Sequence, residues 1–263
     1  MSFLEALLLG LVQGLTEFLP VSSSGHLAIG KEILNIESEN LAFEVAVHAA
    51  TVLSTIVAFR KEISNLIIGA LKFRINDETT YLIKIAISMI PVFIVGIFFK
   101  EFVESIFGSG LLVVGISLLV TSSLLMLSHI IKPKQRELKN RDAFIIGVAQ
   151  AIAVLPGLSR SGATISTGLM LGVKREEIAR FSFLMVLVPI LGEAFLEMIS
   201  GDFSSASTGV DPLSLMGGFA AAFVSGLFAC KVMIALVKRA KLTGFALYCL
   251  IIGVLTILWS VIN

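Results

Sequence analysis

Charged side chains are scarce in this chain: Asp, Glu, Lys and Arg supply 15% of 263 residues, whereas 56% are hydrophobic. With a mean hydropathy of +0.97, such a composition excludes an ordinary soluble domain and describes an all-α integral membrane protein. Cysteine is almost missing too. Cys230 and Cys249 are the two present, without metal-ligand spacing, so they read as small buried hydrophobes and say nothing about redox compartment. The first residues lack the basic start and small-x-small site of a signal peptide, carrying Glu5 instead, so no cleavage is expected. A net charge of +1 offers no basis for a nucleic-acid partner.

Long apolar stretches are what the chain does have. Those at 41–59, 81–99, 111–131, 181–199, 213–230 and 242–262 are each long enough to cross a hydrocarbon core of about 30 Å at 1.5 Å rise per residue. Six transmembrane helices are therefore expected. Of 20 Lys and Arg, 17 gather in four places, at 60–84, 132–141, 174–180 and 231–241. The positive-inside rule makes these cytoplasmic, and leaves the connections near 31–40, 100–110 and 200–212, with Lys31 and Lys100, outside.

The pattern Gly10-x-x-Gln13 … Ser22-x-Ser24-Gly25 recurs as Gly147-x-x-Gln150 … Ser159-x-Ser161-Gly162, each match offset by 137 residues. One unit occurs twice within a single membrane domain, as repeat one, 1–131, and repeat two, 141–263. Threading the charge pattern gives three spans per repeat. An odd number inverts the second copy relative to the first. The segments 1–36 and 141–173 must then each begin and end on one side, as re-entrant helical hairpins broken at Pro20 and Pro156. Non-helical backbone at that depth is tolerated only when buried in protein or lining a wet cavity, so the two hinges are expected to meet around a polar cavity.

Helical spacing puts Gln13 and Glu17 one turn apart on one face, just before Pro20-Val-Ser22-Ser23-Ser24-Gly25-His26. The second hinge reads Pro156-Gly157-Leu158-Ser159-Arg160-Ser161-Gly162-Ala163-Thr164. Hydroxyls, glycines, a helix start and one fixed positive charge together suit phosphate oxygens. Plainer roles stand beside these. Ser/Gly stretches also serve close helix packing, Arg160 has a structural ion pair with Glu17 as its alternative, His26 a structural hydrogen bond, and Gln13 a scaffold role shared with Gln150. Glu44 and His48, and likewise Glu193 and Glu197, share helical faces and read as structural hydrogen bonds or else as cavity wall.

Gln13-x-x-x-Glu17, Pro20 to His26 and Pro156 to Thr164 resemble the signature motifs of the bacterial undecaprenyl-diphosphatase family, and the likeness extends through chain length and motif order. It implies a multi-pass enzyme of the bacterial cytoplasmic (inner) membrane that removes one phosphate from undecaprenyl diphosphate. That regenerates the lipid carrier for peptidoglycan synthesis and confers bacitracin tolerance. The family's catalytic groups fall on Glu17, Ser23, His26 and Arg160. Substrate contacts fall on Gln13, Ser22, Ser24, Gly157, Ser159, Ser161 and Thr164. A divalent cation, Mg or Ca, is implied on Glu17 and the substrate phosphates; Gln at position 13 removes a possible second carboxylate ligand. His26, Ser23 and water all remain open as the attacking group, and a homo-oligomer is an open partner.

Two rivals follow from the same residues. Ser24-Gly25-His26 and Ser159-Arg160 match fragments of lipid phosphatases related to type 2 phosphatidate phosphatase, but no His follows His129 and the upstream Lys/Arg signature is missing. A polyprenyl-phosphate transporter or flippase fits an inverted repeat as well as an enzyme does.

Overall fold

The computed structural model describes residues 1–36, 41–107, 110–131, 135–192, 210–238 and 242–262, and no strand occurs among them. The pair Glu193 and Glu197, the basic residues Lys132, Lys134, Arg239 and Lys241, and the expected span 181–199 beyond residue 192 lie outside the described residues.

The helix bounds follow local chemistry. Helix α1, Phe3–Phe18, opens with a capping box in which Glu5 N donates to Ser2 Oγ and Ser2 N to Glu5 Oε2. It stops at an extended Leu19, the backbone that a following Pro20 demands. Helix α2, Ser23–Ile33, is capped by Ser22, whose Oγ accepts from Gly25 N at 3.2 Å. Helices α3, Leu41–Ala58, and α4, Arg60–Ala70, meet at a bend of 74°. After them come α5, Asp77–Phe98, α6, Lys100–Phe107, and α7, Leu111–Ile130.

The second half repeats the scheme. Helix α8, Asn140–Ile152, is followed by α9, Arg160–Met170, which Ser159 caps by accepting from Gly162 N at 3.1 Å. Both ends of α9 lie 137 residues beyond those of α2, as does its capping serine. Helices α10, Arg175–Met185, α11, Pro212–Lys238, and α12, Thr243–Ile262, complete the named elements.

Four helices, α5, α7, α11 and α12, are long and apolar enough to cross a membrane, and the bent pair α3–α4 makes a fifth candidate. The chain is thus a multi-pass helical membrane protein. Large apolar side chains such as Phe93, Ile97, Leu250 and Leu255 are exposed on these helices, as lipid-facing residues should be. Helices α4 and α6, and the start of α10, occupy stretches read as connections, because each opens on charged residues and is too short to register as a span.

Packing explains the repeated glycines. Helix α1 lies so close to α11 that a Cβ on Gly10 would sit 2.2 Å from Gly218 O, and one on Gly147 of α8 would sit 2.2 Å from Ser88 O of α5. Each hairpin's first helix therefore packs on a long helix from the other half of the chain. Gly115 and Gly253 allow the same approach between α7 and α12, and the hydroxyls of Ser54 and Ser122 donate across helices to Phe223 O and Ala246 O.

Candidate active site

The two hairpin hinges touch. Gly157 adopts φ +84°, and a Cβ there would sit 2.7 Å from Val114 Cα, so only glycine lets this turn press against α7. Across the junction Gly157 N donates to Ser24 Oγ at 3.4 Å, and Ser161 Oγ donates to Leu19 O at 3.2 Å. Ser22 itself holds φ 70°, a conformation that costs a non-glycine residue about 1–3 kcal/mol and persists only where surroundings enforce it.

Glu17 is the centre of the junction. Arg160 Nη2 donates to its Oε1 at 2.6 Å, Ser23 Oγ donates to its Oε2 at 2.5 Å, and Gln13 Nε2 donates to Oε2 at 3.0 Å. The Glu17 side chain is 8% exposed and that of Arg160 27%. Ser23 and Arg160 are the first residues of α2 and α9 and sit at equivalent places in the repeat. One carboxylate thus bridges a hydroxyl from one helix start and a guanidinium from the other. Gln13, Ser23 and Arg160 meet at Glu17, Ser24 and Gly157 join the hinges, and the ion pair considered for Arg160 exists.

The other expected residues are engaged locally. Ser22 and Ser159 cap their helices, Ser161 ties the hinges, and Thr164 Oγ1 lies 2.6 Å from Ser182 Oγ. His26 is near in sequence, yet its ring is tied elsewhere: Nδ1 lies 2.8 Å from Ser22 O and Nε2 2.8 Å from Tyr248 Oη, with the rings stacked at 5.5 Å. A carbonyl only accepts, so Nδ1 carries hydrogen, and in the neutral imidazole Nε2 accepts a hydrogen bond from Tyr248 Oη.

Three further residues bear on the site, of which sequence reading weighs His48 as structural or cavity wall and does not place Gln150 or Tyr248. His48 brings Nε2 within 3.9 Å of Glu17 Oε2 while its Nδ1 donates to Glu44 O; Glu44 instead pairs with Lys31. Gln150 lines a cavity of about 20 Å³ together with Glu17, Arg160, Thr164 and Ser182, a space for about one water. Tyr248 gave no signal at all, since nothing in its own helix marks it. The recurrence of glutamine at 13 and 150 was the one available hint for Gln150.

As for a metal, no group of three His, Cys, Asp or Glu side chains converges among the described residues. Glu17 is the single carboxylate lining the cavity, and Gln13 presents its amide nitrogen to it, its Oε1 being buried without a hydrogen-bond partner among the described residues. Hard divalent cations take oxygen ligands and share phosphates with few protein groups, so this donor set fits one only with phosphate completing it.

Comparison with known proteins agrees with this chemistry. The family model of the bacitracin resistance protein BacA matches residues 6–255. The chain is 59% identical to an undecaprenyl-diphosphatase of Bacteroides fragilis over 265 residues, 99% of both chains. It is 59% identical to one of Parabacteroides distasonis over 262 residues, 98% of both. A more distant relative of the same description, from Korarchaeum cryptofilum, is 40% identical over 264 residues, 97% of this chain and 98% of that one.

Proposed function

Because the chain belongs to the family of the bacitracin resistance protein BacA, we propose that Glu17, Ser23 and Arg160 form the reaction centre of an undecaprenyl-diphosphatase. The enzyme hydrolyses undecaprenyl diphosphate to undecaprenyl phosphate and inorganic phosphate, recycling the lipid carrier of cell-wall synthesis. The observation that carries the assignment of residues is the shared Glu17 carboxylate, held by Ser23 on one oxygen and Arg160 on the other.

Phosphoryl transfer needs positioning, charge neutralisation and a nucleophile in line. Arg160 turns from Glu17 to the terminal phosphate. Ser23 Oγ attacks its phosphorus and passes its proton to Glu17, while the bridging P–O bond breaks and undecaprenyl phosphate departs. Water then attacks the phosphoserine, the P–Oγ bond breaks, and the proton balance returns through Glu17. His26 Nε2 is engaged by Tyr248 Oη at 2.8 Å, so activation of that water by His26 would require the Tyr248 contact to open. A divalent cation held by Glu17 and the phosphates would offset their negative charge. The Ser23→Ala variant is expected to lose phosphate release by more than about a hundredfold, and to form no phosphoenzyme in rapid-quench labelling with a labelled polyprenyl diphosphate. Turnover near the wild-type rate would transfer the attack to water.

The architecture that carries this centre is an inverted-topology repeat of six spans and two re-entrant hairpins in one cytoplasmic-membrane domain. Support comes from the constant offset of 137 residues between α2 and α9 and from the reciprocal packing of α1 on α11 and α8 on α5. The short α2 and α9, 11 residues each, are about half the length a span requires.

A further inference from the structure

We propose that Gln150 is a phosphate-binding residue, its side-chain amide donating to an oxyanion of the diphosphate or of its product. The inference rests on the reading of Glu17 and Arg160 as the reaction centre and extends that centre to a third element, α8.

Gln150 is 2% exposed, and neither Oε1 nor Nε2 has a hydrogen-bond partner among the described residues. Leaving an amide buried and unbonded is costly, so such a group is retained where a ligand or water completes it. Its repeat counterpart shows what is missing. Gln13 Nε2 donates to Glu17 Oε2 at 3.0 Å, one helical turn on. The position one turn after Gln150 holds Val154, which accepts nothing. The same amide is therefore spent on a carboxylate in the first hairpin and left open in the second.

The open amide lines the same cavity as Glu17, Arg160, Ser161 and Thr164. Of these, Arg160 brings fixed positive charge, while the hydroxyls of Ser161 and Thr164 are engaged with Leu19 O and Arg160 O. The available donors are thus the guanidinium and the Gln150 amide. Two such donors suit a phosphate oxyanion. The cavity of about 20 Å³ has room for about one water, so an oxyanion reaching Gln150 would take the space that Arg160 vacates on leaving Glu17.

The test uses the full chain purified in detergent with a polyprenyl diphosphate as substrate, and inorganic phosphate and polyprenyl monophosphate as inhibitors. Gln150→Met keeps the side chain's length and removes its hydrogen bonding. KM is expected to rise about tenfold, the value of one hydrogen bond to a charged group, with inhibition by one of the two phosphates weakened in parallel. Weaker inhibition by inorganic phosphate assigns Gln150 to the terminal phosphate, and weaker inhibition by the monophosphate to the lipid-borne one. The thermal midpoint should hold or rise, because an unbonded buried amide is gone.

Unchanged KM and unchanged inhibition by both phosphates would overturn the proposal, leaving a water-satisfied amide. So would a change confined to the concentration of magnesium needed for activity, which would make Gln150 a cation ligand. Should Gln150→Met fail to fold, Gln150→Asn retracts the amide by one methylene and is read by the same criteria. Failure of the underlying reading looks different: Arg160→Ala would then hydrolyse substrate at the wild-type rate, whatever Gln150 does.

Discussion

At the scale of single residues, the Glu17–Arg160 contact serves two ends at once. Removing Arg160 leaves a carboxylate 8% exposed without its guanidinium partner, which is destabilising on its own account. Arg160→Ala is therefore expected to lower the thermal midpoint and to cut kcat/KM by at least about a hundredfold. The double variant Glu17→Gln/Arg160→Ala should regain the midpoint while remaining inactive, and recovery of turnover would make the pair structural alone. Sequence reading reached these two residues because polar groups beside prolines in an apolar chain are conspicuous. It did not reach Tyr248 or His48's approach to Glu17. Both touch the site from other helices, and spacing within one helix carries no information about what faces it.

Between helices, the motif glycines set how closely segments approach. Gly10→Ala and Gly147→Ala would each place a methyl 2.2 Å from a backbone oxygen, so each is expected to cost about 1–3 kcal/mol as an overpacked contact. Gly96 of α5 has nothing within 4 Å, and Gly96→Ala should hold or raise the midpoint by helix propensity. A uniform loss in all three would remove close packing as the cause. The base of the second hairpin is fixed differently: Arg136 reaches Asp142 through Nη1 at 2.5 Å and Nη2 at 2.8 Å, and donates from Nη2 to Leu171 O. The Arg136 hydrogen bonds hold the Asp142 carboxyl below its ordinary value, outweighing burial. With the folded value depressed, this stabilisation is present above about pH 4 and is lost as pH falls through the folded value. Melting at stepped pH should show Asp142→Asn less stable than the wild type at neutrality, the gap closing in acid; a gap that persists there would deny the ionic contribution. The helix breaks at Pro20 and Pro156 and the helix start after the second hinge's hydroxyls were legible because prolines and caps act locally, whereas the caps at Ser2 and Ser22 were not read. The bend of 74° between α3 and α4 was not, since nothing at Phe59 breaks the pattern.

For the molecule as a whole, reciprocal packing of α1 on α11 and α8 on α5 interlocks the two halves. Expressed separately, 1–131 and 141–263 are expected to be degraded, and co-expressed they should restore phosphate release; a stable, folded single half would show that each repeat is self-sufficient. The internal repetition was visible in sequence, whereas the exchange of partners between halves was not, because an offset says which residues are alike and not which ones meet. The shared Glu17 carboxylate has one more consequence. Its counterpart position is Val154, and the counterparts Ser23 and Arg160 differ in kind. Two look-alike arms thus differ at two corresponding pairs, Glu17/Val154 and Ser23/Arg160, so the proposed chemistry falls to their junction once and is not doubled by the repetition.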